Sequence, residues 1–173
     1  RGKKVILNAR GGGAADFFKR WKYIVMPFIR SADKITTPSG FLKNVFTSHL
    51  GLEPEIIPNI ADFDQFKFQK REPFEPRFIV TRNLEEIYNV ECVIKAFKII
   101  CKKVPESRLD VLGHGSLRKE LEEKTRQWGL EKSVTFHGAV AHSDIQQYYQ
   151  NSHIFLNGSN VDNLPGTILE AYA

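Results

Sequence analysis

Phe78-Ile-Val-Thr81 and Leu109-Asp-Val-Leu112 are short runs rich in β-branched and aromatic residues. Between them Val90, Val93, Ile94, Phe97, Ile100, Cys101 and Val104 recur at three- and four-residue spacing. The periodicity predicts a helix over 90–103 with one continuous apolar stripe, stopped by Pro105. Working outward, strands are expected at Val134–Phe136 and Ile154–Leu156, and helices at about 117–128, 144–151 and 165–173, with Ser116 and Ser143-Asp144 as candidate caps. Strand alternating with helix is the pattern of a parallel sheet covered by helices. The fold class expected is α/β with a doubly wound parallel sheet, whose ligand crevice lies at the carboxyl ends of the strands.

The first seventy residues form a different piece: strand Val5–Leu7, a helix across about 14–26, strand Lys34–Thr37, a helix over 41–49 capped by Ser39, and strand Glu55–Pro58. Asp62 to Pro76 bears prolines and aromatics without helical period and is expected to wrap the surface as a linker, which puts the boundary near residue 71. Seventy residues are too few for a full doubly wound sheet, so the chain is expected to be part of a longer one.

With 173 residues, 42% of them apolar, the chain can bury a real core, and no apolar run approaches the roughly 20 residues needed to cross a bilayer. No secretory leader pattern follows the first residues. Cys92 and Cys101 fall on opposite sides of one predicted helix and cannot bridge, which suits a reducing, cytoplasmic setting. The net charge of +5 is dispersed along the chain rather than massed, so no nucleic-acid partner is expected.

Asp162-Asn-Leu-Pro-Gly-Thr-Ile-Leu-Glu170 sets two carboxylates eight positions apart around a turn that opens a helix. Pro165 suits the first helical position, with Asn163 or Leu164 as cap. The free N–H groups of Gly166 and Thr167 would then attract an anion such as a diphosphate. Carboxylates to either side accept hydrogen bonds from hydroxyls. The arrangement suits a ligand with a phosphate middle and a sugar at each end.

This stretch resembles the Glu-x7-Glu signature of the group 1 retaining glycosyltransferases of family 4 type and GT-B architecture, with Asp162 in the first acidic place. Four further segments are similar to motifs of that family, in the same order: Ile57-Pro-Asn59-Ile-Ala-Asp62, Ile79-Val-Thr-Arg82-Asn-Leu, Asp110-Val-Leu-Gly113-His-Gly115 and Val134-Thr-Phe-His-Gly138-Ala-Val140. The likeness covers nearly the whole chain, least in its first thirty residues. It implies that residues 71–173 are a Rossmann-like nucleotide-sugar donor domain lacking its C-terminal end. Residues 1–70 would be a remnant of the amino, acceptor-side Rossmann-like domain. The implied activity is transfer of a sugar from a nucleotide-diphospho-sugar to the hydroxyl of a saccharide or lipid-linked acceptor, with retention of configuration. Asp162 would hold the transferred sugar, Glu170 the ribose hydroxyls, and Arg82, Gly166 and Thr167 the phosphate charge. Gly113, Gly115, Gly138, Val140, Asn163, Leu164, Pro165 and Tyr88 would complete the donor site. No metal and no cofactor is implied. A non-catalytic nucleotide or sugar-phosphate-binding module would use the same residues.

Two departures from the family pattern bear on chemistry. The lysine that follows the arginine of its Gly-Arg-Leu motif is absent between Arg82 and Asn89, so either Tyr88 and Asn89 donate neutral hydrogen bonds in its place or the donor is held less tightly. Where many members carry His-Gly, this chain has Arg10-Gly11. Each motif also has a plain structural reading: Arg82 as a surface partner of Glu85 or Glu86, Gly113-His-Gly115 as a tight turn, His137 as a strand residue without a partner. The five histidines show no metal-ligand spacing. The helix after Arg10 interleaves Phe17, Phe18, Trp21, Ile24 and Val25 with Lys19, Arg20 and Lys22, a pattern that suits sheet packing and also peripheral membrane docking.

Overall fold

The computed structural model describes residues 2–62 and 64–173; Arg1 and Phe63, the latter within the expected linker, lie outside the described residues. The chain divides into two units. One runs to Ile60 and includes Val161–Gly166; the other comprises Ala61–Asn160 and Thr167–Ala173.

The first unit contains β1 (Ile6–Asn8), α1 (Ala14–Arg30), β2 (Lys34–Thr37), α2 (Gly40–Leu50) and β3 (Glu55–Ile56), its strands forming a parallel sheet in the order β1-β2-β3. Its core joins Phe18 and Ile29 of α1 to Leu42, Val45, Phe46 and Leu50 of α2, with Phe18 set edge-on to Phe46 at 4.8 Å between ring centroids. The Ser39 hydroxyl accepts the Leu42 N–H at 3.2 Å and caps α2, as expected. Helix α1 runs past the expected end near residue 26, with Pro27 inside it. Proline removes one amide donor, but the last turn buries Ile29 in the core, and that contact carries the helix four residues further.

The second unit holds β4 (Arg77–Thr81), α3 (Val90–Lys103), β5 (Arg108–Leu112), α4 (Arg118–Gln127), β6 (Val134–Gly138), α5 (His142–Gln150), β7 (Ile154–Phe155) and most of α6 (Gly166–Tyr172). The sheet is parallel in the order β6-β5-β4-β7. Side chains alternate along β4. Phe78 and Val80 join a cluster with Val90, Val93, Ile94 and Phe97 of α3 and Leu121 of α4, while Ile79 joins one with Tyr149 of α5. Burial on both faces is why Phe78-Ile-Val80 of β4 reads as an unbroken apolar run. Phe97 is fully buried and meets Phe78 edge-on at 5.4 Å.

Three local expectations are corrected. Ser116 and Ser143-Asp144 do not cap: Leu117 and Ala141 stand at the N-caps of α4 and α5, without side-chain caps. Helix α6 begins at Gly166, after Pro165, because Leu164 sits at φ +47° and turns the chain first. The expected surface linker instead buries Phe66 against Ile79, Leu112 and Tyr149. Its Arg71 donates to the carbonyls of Ser152 at 2.7 Å and Tyr149 at 2.9 Å, which fixes the segment to the end of α5.

Candidate functional site

Strands β5 and β6 follow β4 on one side and β7 returns on the other, so the sheet has a switch point between β4 and β7. Ligands of such sheets bind where the carboxyl ends of the strands open. A cavity of about 290 Å³ lies at those ends, lined by Thr81, Arg82 and Asn83 after β4, Leu112, Gly113 and His114 after β5, Ala139 and Val140 after β6, and by Ile145 and Thr167.

The turns that form its floor are zipped together by main chain. The Arg82 N–H donates to the Leu112 carbonyl at 3.0 Å, Leu84 to His114 at 2.8 Å, Gly113 to Gly138 at 2.8 Å and Leu117 to Leu84 at 3.0 Å. Both glycines of Gly113-His-Gly115 answer to this packing. A Cβ at Gly113, where φ is +139°, would stand 2.0 Å from the Arg82 carbonyl oxygen, and one at Gly115 would stand 2.4 Å from that of Leu84. Close backbone approach accounts for them without a ligand. Glu85 secures the same turn by accepting from the Ser116 hydroxyl at 2.7 Å and its N–H at 2.8 Å. The Ser116 side chain, then its backbone amide, hold the Glu85 carboxyl below its ordinary value of 4.5.

Arg82 leaves β4 at the switch point. Its Nε donates to Asn157 Oδ1, just past β7, at 3.2 Å, and its guanidinium lies 5.5 Å from the centre of the Tyr88 ring. Tyr88 therefore holds the arginine by its ring face. Asn89 is occupied in structure: at φ +45° it caps α3 by accepting the Cys92 N–H, and its amide donates to Asn160 Oδ1 at 3.0 Å.

Thr167, the second residue of α6, stands on the cavity wall, and its hydroxyl is buried with no hydrogen-bond partner among the described residues. One turn later Glu170 meets Tyr149, whose hydroxyl lies 3.3 Å from Glu170 Oε2, 3.2 Å from the Thr167 carbonyl and 2.8 Å from Thr81 Oγ1. Burial first, then the neighbouring Glu170 charge, push the Tyr149 hydroxyl well above its ordinary 10.0, so it stays protonated as a donor.

The other expected residues of the acidic motif belong to the first unit. Asp162 accepts the Asn163 N–H at 2.9 Å. Asn163 is buried, receives the Ser39 hydroxyl at 3.4 Å and donates to the Arg10 carbonyl at 3.4 Å. Asn59 donates to the Leu164 carbonyl at 2.7 Å and accepts from Arg10. The Arg10 that replaces His in the glycine loop is thus a clamp on the Asn59 carboxamide. His137 has a partner after all, Asp110 at 2.6 Å on the neighbouring strand, with Tyr148 against its ring.

A family model for glycosyl transferases group 1 matches residues 62–173. The chain belongs to the group 1 glycosyl transferases. It is 27% identical over 157 residues to an uncharacterized glycosyltransferase of Methanocaldococcus jannaschii, covering 83% of this chain and 38% of that protein. It is 23% identical over 167 residues to the alpha-monoglucosyldiacylglycerol synthase of Streptococcus pneumoniae, covering 88% and 38%. The chain thus spans well under half the length of these curated relatives. Anabaena HepE, solved in complex with UDP and glucose, shares the fold with a TM-score of 0.82 at 18% identity, over 98% of this chain and 50% of that one.

In this member of the family the cavity gathers four of the expected donor residues, Arg82, Gly113, Val140 and Thr167. Gly115 packs on Leu84, and Gly138 (φ +77°) gives its carbonyl to Gly113. Sequence reasoning missed Tyr149 and Asn157. Asn157-Gly158 directly after a predicted strand was the available signal for the second; nothing in the pair Tyr148-Tyr149 distinguished the first.

Proposed function

We propose that this chain carries the donor-binding part of a retaining glycosyltransferase of family 4 type, acting on a nucleotide-diphospho-sugar. The observation that carries the reading is the convergence of Arg82 and Thr167 on one cavity at the carboxyl ends of β4, β5 and β6. A guanidinium and the first-turn amides of a helix form a positive field suited to a diphosphate, and they do so without calling on a metal or cofactor. As the bond from sugar C1 to the diphosphate oxygen breaks, charge builds on the leaving diphosphate, and that field stabilises it. The acceptor hydroxyl oxygen bonds to C1 on the face the diphosphate leaves, and its proton passes to the diphosphate. Glu170 takes the ribose hydroxyls, and Asp162, assigned on the motif alone, takes the transferred sugar. The 1–70 and 71–173 domain reading belongs to the same proposal.

The acceptor proposed is a saccharide or a lipid-linked hydroxyl, reached from the cytoplasmic face of a membrane. On α1, Phe17, Trp21, Ile24 and Phe28 are exposed at spacings that align them on one side, flanked by Arg20, whose guanidinium lies 5.3 Å from the centre of the Trp21 ring. An apolar stripe with a basic neighbour suits the interface of an anionic bilayer. No helix among the described residues is long and apolar enough to cross a membrane. Sedimentation with phosphatidylglycerol vesicles checks the contact; binding that survives Trp21→Glu and Phe28→Glu together argues against it.

The donor reading is tested by calorimetry with UDP, GDP and ADP. Binding of at least one, weakened at least tenfold by Arg82→Ala and by Glu170→Ala, supports it. Equal binding by all three proteins refutes it. Binding without transfer of the sugar in the full-length enzyme favours the non-catalytic module.

A further inference from the structure

One hydroxyl joins the strand end that carries Arg82 to the helix that carries Glu170. Tyr149 is buried, and its oxygen lies 2.8 Å from Thr81 Oγ1, the residue before Arg82. It also lies 3.2 Å from the Thr167 carbonyl and 3.3 Å from Glu170 Oε2, both on α6. A phenol has one proton and accepts through its oxygen. A carbonyl and a carboxylate accept only, so the Tyr149 proton points to α6 and the Thr81 hydroxyl donates inward to Tyr149. Of the two acceptors the carboxylate is the stronger. The chain of donation runs from Thr81 through Tyr149 to Glu170.

We infer that Tyr149 is a positioning residue that aims the Glu170 carboxylate at a ribonucleotide ligand, and so sets the preference of the site for ribose over 2′-deoxyribose. The inference rests on the donor-site reading above. One Glu170 oxygen is held by Tyr149, which leaves the other to accept from a ligand hydroxyl. Without Tyr149 the carboxylate rotates freely about its terminal torsion, which has no sharp preferred setting, and a ribose hydroxyl must pay the ordering cost itself. A tyrosine phenol is protonated throughout the neutral range, so the device works there.

The experiment measures UDP and 2′-deoxy-UDP binding by calorimetry, with the GDP and ADP pairs alongside, on wild type, Tyr149→Phe, Glu170→Gln and the double variant. Tyr149→Phe keeps the ring that packs on Phe66 and Phe155 and removes only the hydroxyl. Its ribo-to-deoxy affinity ratio is expected to fall about fivefold or more, toward that of Glu170→Gln, with the double variant no lower than either single one. The ratio does not depend on the folded fraction, so simple loosening of the fold leaves it unchanged. An unchanged ratio in Tyr149→Phe, with a lowered one in Glu170→Gln, overturns the positioning role and leaves the donor site standing. No binding of any diphosphate to wild type overturns both.

Discussion

Gly113→Ala tests whether the glycine turn is a packing requirement of the fold. At φ +139° an L side chain is strained, at a cost of about 1–3 kcal/mol. The new methyl carbon would also stand 2.0 Å from the Arg82 carbonyl oxygen and 2.7 Å from its carbonyl carbon. A comfortable contact needs about 3.5 Å, so the ends of β4 and β5 must part by about 1.5 Å, an overpacking worth about 1–3 kcal/mol. The hydrogen bonds from Arg82 to Leu112 and from Gly113 to Gly138 lie on that path. The sum is about 4 kcal/mol, or a fall in melting temperature of about 8–16 °C for a chain of this size. Gly129→Ala is the control within the same unit: φ there is +69° with nothing within 4 Å, so it isolates the backbone penalty at about 1 kcal/mol. Denaturant unfolding gives the two losses, and hydrogen exchange of the β4 and β5 amides locates them. A Gly113→Ala variant no less stable than Gly129→Ala refutes the packing account.

Three further outcomes are expected. Phe97→Ala empties the fully buried site against Phe78 and costs about 3–5 kcal/mol in urea unfolding. Glu85→Gln is less stable than wild type at neutral pH. Because the folded Glu85 carboxyl lies below its ordinary 4.5, its contribution is present above that value and is lost as pH falls through the lowered one, so melting curves of the two proteins converge in acid. Tyr149 has the opposite sign. Its hydroxyl is raised in the fold, so wild type loses stability as pH rises past the ordinary 10.0, where the unfolded chain ionises, and a melting series shows Tyr149→Phe losing less there.

Where one periodic pattern outweighed every local rival, the sequence could be read to the residue. Helix α3 runs Val90–Lys103, the predicted bounds, because seven apolar positions and a following proline agree on it. Strand β4 was visible for a similar reason: its Phe78-Ile-Val80 run is buried on both faces, while β5 and β6 kept enough apolar positions around Asp110, Thr135 and His137 to be read. Side-chain competition was less legible. Ser116 looks like a cap in one dimension, but its hydroxyl and amide go to Glu85, thirty-one positions away. Pro27 looks like a stop, and only the tertiary contact of Ile29 overrides it. The connector around Phe66 and Arg71 reads as polar loop because its two anchoring residues are isolated, with no period to announce them.

Strand order was the deeper gap, and it decides what the site contains. Counting β-α units establishes a parallel sheet but leaves open on which side of β4 the last strand returns. The pairing of Phe78 with Ile154 and Ile79 with Phe155 puts β7 beside β4, opposite β5. That single choice brings Asn157 to Arg82 and opens the crevice at the end of β4. Had β7 added to the outer edge of β6, Asn157 would lie three strands away, roughly 14 Å at ordinary strand spacing, and Arg82 would face no switch point. The arginine motif therefore acquires its meaning from a pairing more than seventy positions distant. Asn157→Ala should loosen Arg82 without touching the glycine turn, lowering diphosphate affinity while the hydrogen exchange of β5 stays as it was.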